Sequence, residues 1–130
     1  MAIELRFRPP RPPVSINAAN RMHWAERATH TKAWRQAARA AWLADGKPHA
    51  AEIDGQRVLI EVELPFDKKA RRDPHNYTGT TVKAIIDGLI EAGMKPDDTP
   101  GYVRVDEPRL TIGTGIAVVR IEATGERENR

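Results

Sequence analysis

Residues 82–93 read VKAIIDGLIEAG, and this stretch carries the strongest helical pattern in the chain. Its apolar side chains recur every three or four residues, at Val82, Ile85, Ile86, Leu89 and Ile90. That spacing places them on one face of an amphipathic helix. We expect the helix to begin near Thr80 or Thr81 and to end at Gly93, because glycine commonly follows the last turn of a helix.

Alternating stretches on both sides of this helix indicate β-strands. Four runs alternate apolar with polar or charged side chains, and they cover residues 3–7, 57–64, 103–112 and 116–123. This alternation is typical of a half-buried strand. Pro108 interrupts the third run, which predicts an edge or bulged strand. The turn Gly113-Thr114-Gly115 predicts that the last two strands form a hairpin.

A second amphipathic helix is expected between the first two strands. Its apolar stripe consists of Trp34, Ala38, Ala41 and Trp42. Thr29 or Thr31 is its expected cap, Gly46 with Pro48 its expected end, and residues 14–30 before it predict a long polar loop. The order β-α-β-α-β-β predicts an α/β (α+β) fold in which two helices cover one face of a small mixed sheet.

The composition indicates one domain. A chain of 130 residues can bury one continuous core. We place this core in residues 1–124 and expect a disordered tail at 125–130. The chain has no cysteine, which excludes thiolate catalysis and cysteine zinc sites. No apolar run approaches the roughly 20 residues that span a bilayer, and we expect a cytoplasmic protein.

The charges are unevenly distributed. Residues 1–50 hold nine Lys or Arg against three acids, whereas residues 51–130 hold twelve against fifteen. This split suits a protein that binds a polyanion through its basic residues and holds a metal ion with carboxylates. A chance division of solvated charges gives the same totals, so composition alone leaves both interpretations open.

Three aspartates flank the main helix as candidate ligands for a hard cation. Asp73 precedes the helix and Asp97 with Asp98 follows it, so a helix about 20 Å long separates them. Only a chain that folds back, through residues 94–96 or 73–79, brings them together. Spacing therefore leaves the alternative that these residues are separate turn residues.

Lys83, in the first turn of this helix, lies beside the apolar stripe. Its functional role would be to contact a phosphate or to orient water. Its alternative role is an ion pair with Asp87, four residues later on the same helix.

Several motifs together resemble one known family. RRDPHN (71–76), VKAIIDGLIEAG (82–93) and PDD (96–98) look like the RusA family of Holliday-junction resolvases. PPVSINAANRMHW (12–24) and THTKAWRQAARAAW (29–42) resemble the same family in the same order. The early segments are weakly specific, whereas the aspartate loop, the lysine helix and the aspartate pair are more specific in combination.

The resemblance implies a homodimer that binds four-way DNA junctions and nicks them symmetrically in recombination and repair. It implies Mg²⁺ or Mn²⁺ as the cofactor. It also groups Asp73, Asn76, Lys83, Asp97 and Asp98 into one site, which spacing alone does not do. The catalytic set that follows from it is Asp73, His75, Lys83, Asp97 and Asp98, with Asp73, His75, Asp97 and Asp98 as metal ligands.

His75 stands where the family pattern has an acid. A neutral imidazole binds Mn²⁺ but suits Mg²⁺ poorly. His75 could instead act as a general base, since the ordinary pKa of histidine is about 6.5. This departure leaves two functions open, an active endonuclease and a catalytically silent protein that binds DNA junctions. A small α/β adaptor with surface charges is a more distant alternative.

Basic and amide side chains predict a DNA-facing surface. One helix face carries three basic residues, and a second basic cluster precedes Asp73. Such contacts position a DNA substrate without reading its sequence. Trp24 either stacks on a base or anchors the core. The predicted DNA-binding residues are Asn17, Asn20, Arg21, Lys32, Arg35, Arg39, Lys68, Lys69, Arg71, Arg72 and Asn76.

Overall fold

The computed structural model describes residues 2–129, and within them it has five strands and three α-helices. The strands are β1 (Ala2–Phe7), β2 (Gln56–Phe66), β3 (Val103–Val105), β4 (Arg109–Ile112) and β5 (Ala117–Arg127). The helices are α1 (Ile16–Arg21), α2 (Trp24–Ala41) and α3 (Lys83–Glu91). The predicted α/β (α+β) class is confirmed, because one mixed sheet is combined with helices.

The centre of the sheet is formed by β2 and β5, in the strand order β1-β5-β2-β3. β5 runs antiparallel to both β1 and β2, so β1 and β2 are parallel to each other. β3 and β4 are both parallel to β2 and follow one another along its other edge. Pro108 lies between β3 and β4, which confirms the prediction of an interrupted edge strand.

The predicted hairpin between the last two strands is wrong. β4 and β5 both pair with β2, on opposite edges, and not with each other. The turn crosses the end of β2, where the amide of Gly113 donates a hydrogen bond to the carbonyl of Phe66 at 2.8 Å. Gly113 and Gly115 have φ angles of 75° and 66°, which favour glycine. The two glycines therefore belong to a loop that crosses from one edge of β2 to the other, and not to a hairpin turn.

One face of the sheet is buried beneath α2 and α3. The buried hydrophobic strand residues are Ile3, Leu5, Val58, Ile60, Val62, Leu64, Val103, Ala117, Val119 and Ile121. Trp34 and Ala38 of α2 and Ile85 and Leu89 of α3 belong to the same core cluster. The opposite face exposes charged side chains such as Arg120. The predicted arrangement, with two helices over one face, is confirmed.

α2 begins at Trp24, inside the segment 14–30 that the sequence predicts to be a loop. Its cap is His23, whose Nδ1 accepts a hydrogen bond from the amide of Ala25 at 3.2 Å. Neither Thr29 nor Thr31, the predicted caps, has this role. The side chains from His23 to Thr29 are all exposed, so the first turns show no apolar period. Periodicity therefore could not locate the start of this helix.

Helical turns extend the chain beyond α2 and precede α3. π-helical turns lie at Trp42–Gly46 and Thr78–Val82, and 3-10 turns at Lys47–Ile53 and Pro74–Tyr77. α2 itself ends before the predicted glycine, and the chain continues in helical turns past it. Within residues 2–129, no helix combines the length and the apolar character that crossing a membrane requires.

The carboxyl end of the chain is tied to the sheet. Residues 125–127, expected to be part of a disordered tail, are instead the last residues of β5. The ammonium of Lys95 is buried and donates to a carboxylate oxygen of Glu128 at 2.5 Å and to the carbonyl of Ile53 at 2.7 Å. Residues 125–128 have no apolar pattern, but strand pairing and the contact with the buried lysine give them a defined position. Arg130 lies outside the described residues.

Candidate functional site

Lys83 opens α3 and lies between two carboxylates. Its Nζ is 2.8 Å from Oδ1 of Asp87 and 2.8 Å from Oδ2 of Asp98. Asp87 is one helical turn further along α3, at the spacing that favours a Lys–Asp pair. The predicted pair with Asp87 is therefore present, and Asp98 joins it from fifteen residues away in sequence. We call these three residues the Lys83 cluster.

Asp98 reaches the first turn of α3 because the chain reverses after this helix. Gly93 has a φ of 94°, and the amides of Gly93 and Met94 donate to carbonyls in the last turn. Met94 and Lys95 are buried, which keeps the returning segment against the fold. The back-folding that the sequence required through residues 94–96 is therefore present for Asp98.

The electrostatics of the cluster keep Lys83 charged. The hydrogen bond to Asp87, followed by the one to Asp98, raises the pKa of the ammonium above its ordinary value of 10.5. The side chain of Lys83 is 52% exposed and those of the two aspartates are 41% and 38% exposed. Solvent screening makes these ion pairs weak contributors to stability. The same exposure leaves the carboxylates accessible to a hydrated ligand.

A cleft of about 210 Å³ adjoins the Lys83 cluster. It lies between the α1 and α2 region on one side and the start of α3 on the other. Its polar lining includes Asn20, Arg27, His30, Lys83 and Asp87. A cleft that combines basic, amide and carboxylate groups suits a polar, charged ligand.

Thr80 and Thr81 attach the amino-terminal segment to this site. The hydroxyl of Thr80 donates to the carbonyl of Val14 at 2.5 Å, and the amide of Val14 donates to the hydroxyl of Thr81 at 2.9 Å. Nε2 of His30 lies 3.4 Å from the same Thr81 hydroxyl. Burial lowers the pKa of His30, and the charge of Arg11 lowers it further, so the imidazole is neutral at neutral pH.

Asp73, His75 and Asp97 lie in local turns. Asp73 accepts a hydrogen bond from the amide of His75 at 3.0 Å, and Asp97 accepts one from the amide of Thr99 at 2.8 Å. The interaction with Thr99 lowers the pKa of Asp97. Nδ1 of His75 lies 3.6 Å from a carboxylate oxygen of Glu107. In the part of the chain that the structure describes, no hydrogen bond or ion pair joins these three residues to the Lys83 cluster.

The four predicted metal ligands are not gathered in this structure. Among residues 2–129, no three His, Asp or Glu side chains form a group that could hold a metal ion. Asp98 belongs to the Lys83 cluster, whereas Asp73 and Asp97 accept bonds from backbone amides two residues later. That geometry is the common one for aspartate in a turn. It corresponds to the alternative that these aspartates are separate turn residues.

The basic stripe on α2 is partly neutralised. Nε of Arg35 lies 3.4 Å, and Nε of Arg39 3.8 Å, from carboxylate oxygens of Glu91 on α3. Lys32, on the first half of the same helix, is exposed. These two arginines therefore join α2 to α3 in addition to any contact with DNA.

The second basic cluster precedes Asp73. Lys68, Lys69 and Arg71 are exposed. Arg72 is half-buried, with its guanidinium carbon 4.0 Å from the centre of the Phe66 ring and Nη1 donating to the carbonyl of Lys68 at 2.9 Å. This stacked arginine stiffens the segment that leads from β2 to Asp73.

The remaining predicted DNA contacts are divided between two elements. Asn17, Asn20 and Arg21 are exposed on α1, and of these Asn20 lines the cleft. Asn76 is half-buried in the 3-10 turn that follows Asp73, and its amide donates to the carbonyl of Asp73 at 3.0 Å. Asn20 is therefore the residue of this group that the fold brings to the site.

Sequence reasoning missed Asp87 as a site residue. The sequence predicts Asp87 only as an alternative partner for Lys83, although an acid in the middle of a largely apolar helix, four residues after a lysine, was a usable signal. The sequence predicts Thr80 and Thr81 only as the start of the helix, and no pattern in it indicates His30. Their contacts join segments more than fifty residues apart, which no local pattern reveals.

Comparison of the chain with protein-family models and with curated proteins gives no match. The Lys83 cluster and the cleft beside it are the features of the fold that bear on its function. Lys83 comes from the helix motif and Asp98 from the PDD motif of the resemblance, and these two residues are in contact.

Proposed function

We propose that this protein is a metal-dependent endonuclease that binds and nicks four-way or otherwise branched DNA, as its resemblance to the RusA family implies. The observation that carries the proposal is the convergence of Asp87 and Asp98 on the ammonium of Lys83. Hydrolysis of a phosphodiester requires oxygen ligands for a hard cation and a positive group near the phosphate. The Lys83 cluster contains both kinds of group.

The donor set fits Mg²⁺ or Mn²⁺. Mg²⁺ is usually bound through one or two carboxylates and keeps several waters. The oxygens of Asp87 and Asp98 both bond one nitrogen at 2.8 Å, so they cannot be more than twice that distance apart. When bound, the metal would lower the pKa of a coordinated water and polarise the phosphoryl oxygen. Asp73 and Asp97 are the further ligands that the resemblance adds.

Lys83 is the residue that would contact the scissile phosphate. An ammonium has three N–H donors, and two of them are used by Asp87 and Asp98. If the two carboxylates held a metal instead, all three donors would be available for phosphate oxygens. Because the two aspartates raise the pKa of Lys83, the ammonium stays protonated at neutral pH and can stabilise developing negative charge.

The exposed basic residues would hold the DNA backbone. Lys32 on α2 and the cluster before Asp73 offer positive charge to phosphates without selecting a sequence. Asn20 and Arg27 line the cleft that adjoins Lys83. A homodimer is part of the proposal, because a two-fold axis would place two equivalent sites on a symmetric junction.

A second candidate function is junction binding without cleavage. Its support is the position of Asp73 and His75, which lie in a turn and not in the Lys83 cluster. His75 also replaces the acid of the family pattern. A silent binder would keep the basic surface and would not need a complete ligand set.

Cleavage of a synthetic four-way junction, first in Mg²⁺ and then in Mn²⁺, tests the two functions. The wild-type protein is expected to nick the junction in at least one of these metals and to lose activity in a chelator. Asp98→Asn, Asp87→Asn and Asp73→Asn should each abolish cleavage and leave junction binding unchanged or tighter. Asp45→Asn, at an exposed aspartate in the π-helical turn after α2, is the matched control.

One result would refute the proposed site, and another would refute the endonuclease activity. Full nicking activity in Asp98→Asn would remove the Lys83 cluster from the reaction. Salt-dependent junction binding by the wild type, with no cleavage in either metal, would establish the silent binder instead.

A further inference from the structure

Trp24 is the most exposed of the large apolar side chains in residues 2–129, with 70% of its surface in solvent. The other two tryptophans, Trp34 and Trp42, are 0% and 2% exposed. Trp24 is therefore not a core anchor, which decides one of the two roles that the sequence left open for it. An indole held in solvent is suited to contacts that form on binding.

Trp24 is the first residue of α2, so its backbone belongs to a helix and not to a loop. His23 caps the helix through a hydrogen bond from the amide of Ala25 to Nδ1. The imidazole ring centre lies 5.4 Å from that of the indole, at an interplanar angle of 35°. The cap orders the backbone at Trp24 and the imidazole contacts the indole, which lowers the entropy cost of ordering this side chain when a flat ligand stacks on it.

Two basic residues flank Trp24 in sequence, one on each side. Arg21 ends α1 three residues before Trp24, and Arg27 lies three residues after it on α2, on the same side of the helix. Arg27 also lines the cleft that contains Lys83. From Arg21 to Lys32 the chain has three basic residues and one acid. This local charge is complementary to a polyanion.

We propose that Trp24, His23, Arg21 and Arg27 form a subsite for an unpaired nucleotide of branched DNA. The base stacks on the indole, and the adjacent phosphates are bound by the two arginines. The inference rests on the proposed function in taking DNA as the ligand, and it adds single-stranded nucleotides at the branch as the part that is recognised. Because Arg27 lines both regions, a strand bound at Trp24 leads into the cleft beside Lys83.

Intrinsic fluorescence offers a direct test, because the other two tryptophans are buried and Trp24 is the one accessible to a quencher. The protein would be titrated in the presence of a chelator. The titrants are oligothymidylate, a blunt duplex, a four-way junction, and the same junction carrying unpaired thymidines. Oligothymidylate and the junction with unpaired thymidines are expected to quench the emission strongly. The duplex should quench it much less.

Substitutions at position 24 test the stacking, with binding measured by the anisotropy of labelled DNA. Trp24→Ala should weaken binding of oligothymidylate about tenfold or more, since a stacked base contributes that much. Trp24→Phe should retain most of the affinity. Leu43→Ala, at another exposed apolar side chain, should have no effect. An exposed Trp24 contributes little to the core, so these variants are expected to fold.

Three outcomes would overturn the subsite. Equal quenching by duplex and single strands would mean that only phosphates are bound. A blue shift of the emission on raising the protein concentration without DNA would mean that a second copy covers Trp24. Unchanged affinity in Trp24→Ala would exclude stacking. Because every measurement is made without metal, failure of junction cleavage would refute the endonuclease and leave this inference intact.

Discussion

Lys83 and Asp98 are fifteen residues apart in sequence, yet their side chains are in contact, with 2.8 Å between Nζ and Oδ2. The contact joins the beginning of α3 to the loop that follows it, so the reversal at Gly93 forms part of the site. The ammonium lies between Asp98 and Asp87, where the proposed function places a divalent cation. Lys83 and a bound metal would therefore compete for the same carboxylates.

Lys83→Met is expected to bind Mn²⁺ more tightly than the wild type, by about fivefold, because removal of an exposed cation leaves two carboxylates without their positive partner. The same variant should cleave a four-way junction about a hundredfold more slowly, because it lacks the group that stabilises the phosphate. Calorimetric titration with Mn²⁺ measures the first effect without DNA. Lys47→Met, at an exposed lysine in a 3-10 turn, is the control, and equal Mn²⁺ affinity in all three proteins would exclude competition.

His30 is expected to make the protein less stable as the pH falls. Burial and the charge of Arg11 lower the pKa of His30 in the folded state below its ordinary value of 6.5. The unfolded chain therefore takes up this proton first, so stability is complete above 6.5 and decreases as the pH falls through the lowered pKa. His30→Gln cannot be protonated there, and its free energy of unfolding should fall less steeply below 6.5.

Urea unfolding over a pH series compares this variant with the wild type. His49→Gln, at an exposed histidine, serves as the matched control and should keep the wild-type slope. Parallel curves for wild type and His30→Gln would show that His30 does not couple folding to protonation.

Gly88→Ala should destabilise the fold by about 2–4 kcal/mol through a clash between the two long helices. A Cβ at Gly88 would lie 2.2 Å from the carbonyl oxygen of Arg35, which is backbone and cannot rotate away. Gly79→Ala is the matched control, because a Cβ there meets no atom within 4 Å. Thermal or urea denaturation measures both, and an unaltered stability in Gly88→Ala would mean that α2 and α3 are not in close contact at this point.

Local patterns were sufficient to predict most of the fold. Alternation predicted β1, β2 and β5, and an apolar stripe predicted α3. Both patterns arise when one face of an element is buried, and the apolar residues of these elements are buried in the structure. The start of α2 could not be predicted, since its first turns are exposed and His23 caps it. The partner of β4 could not be predicted either, because pairing across a sheet depends on contacts that are distant in sequence.

The site was predictable only in part. Lys83 with Asp87 followed from helical spacing, whereas the contact with Asp98 required a chain reversal that spacing leaves undetermined. Asp73 and Asp97 were grouped with Asp98 by resemblance, and in this structure their carboxylates accept hydrogen bonds within their own turns. That grouping stays a prediction, and the cleavage assay of the aspartate variants is its test.

The position of β5 has a consequence for synthesis of the protein. Of the five strands described in residues 2–129, β5 is the last to be synthesised, and it pairs with β1 on one side and β2 on the other. A nascent chain that ends before Ala117 therefore has no strand to place between its first two, and both keep unpaired edges that favour aggregation. The core can be completed only after synthesis has passed Ile121, so a premature stop codon upstream of Ala117 should yield insoluble protein and not a shorter working form.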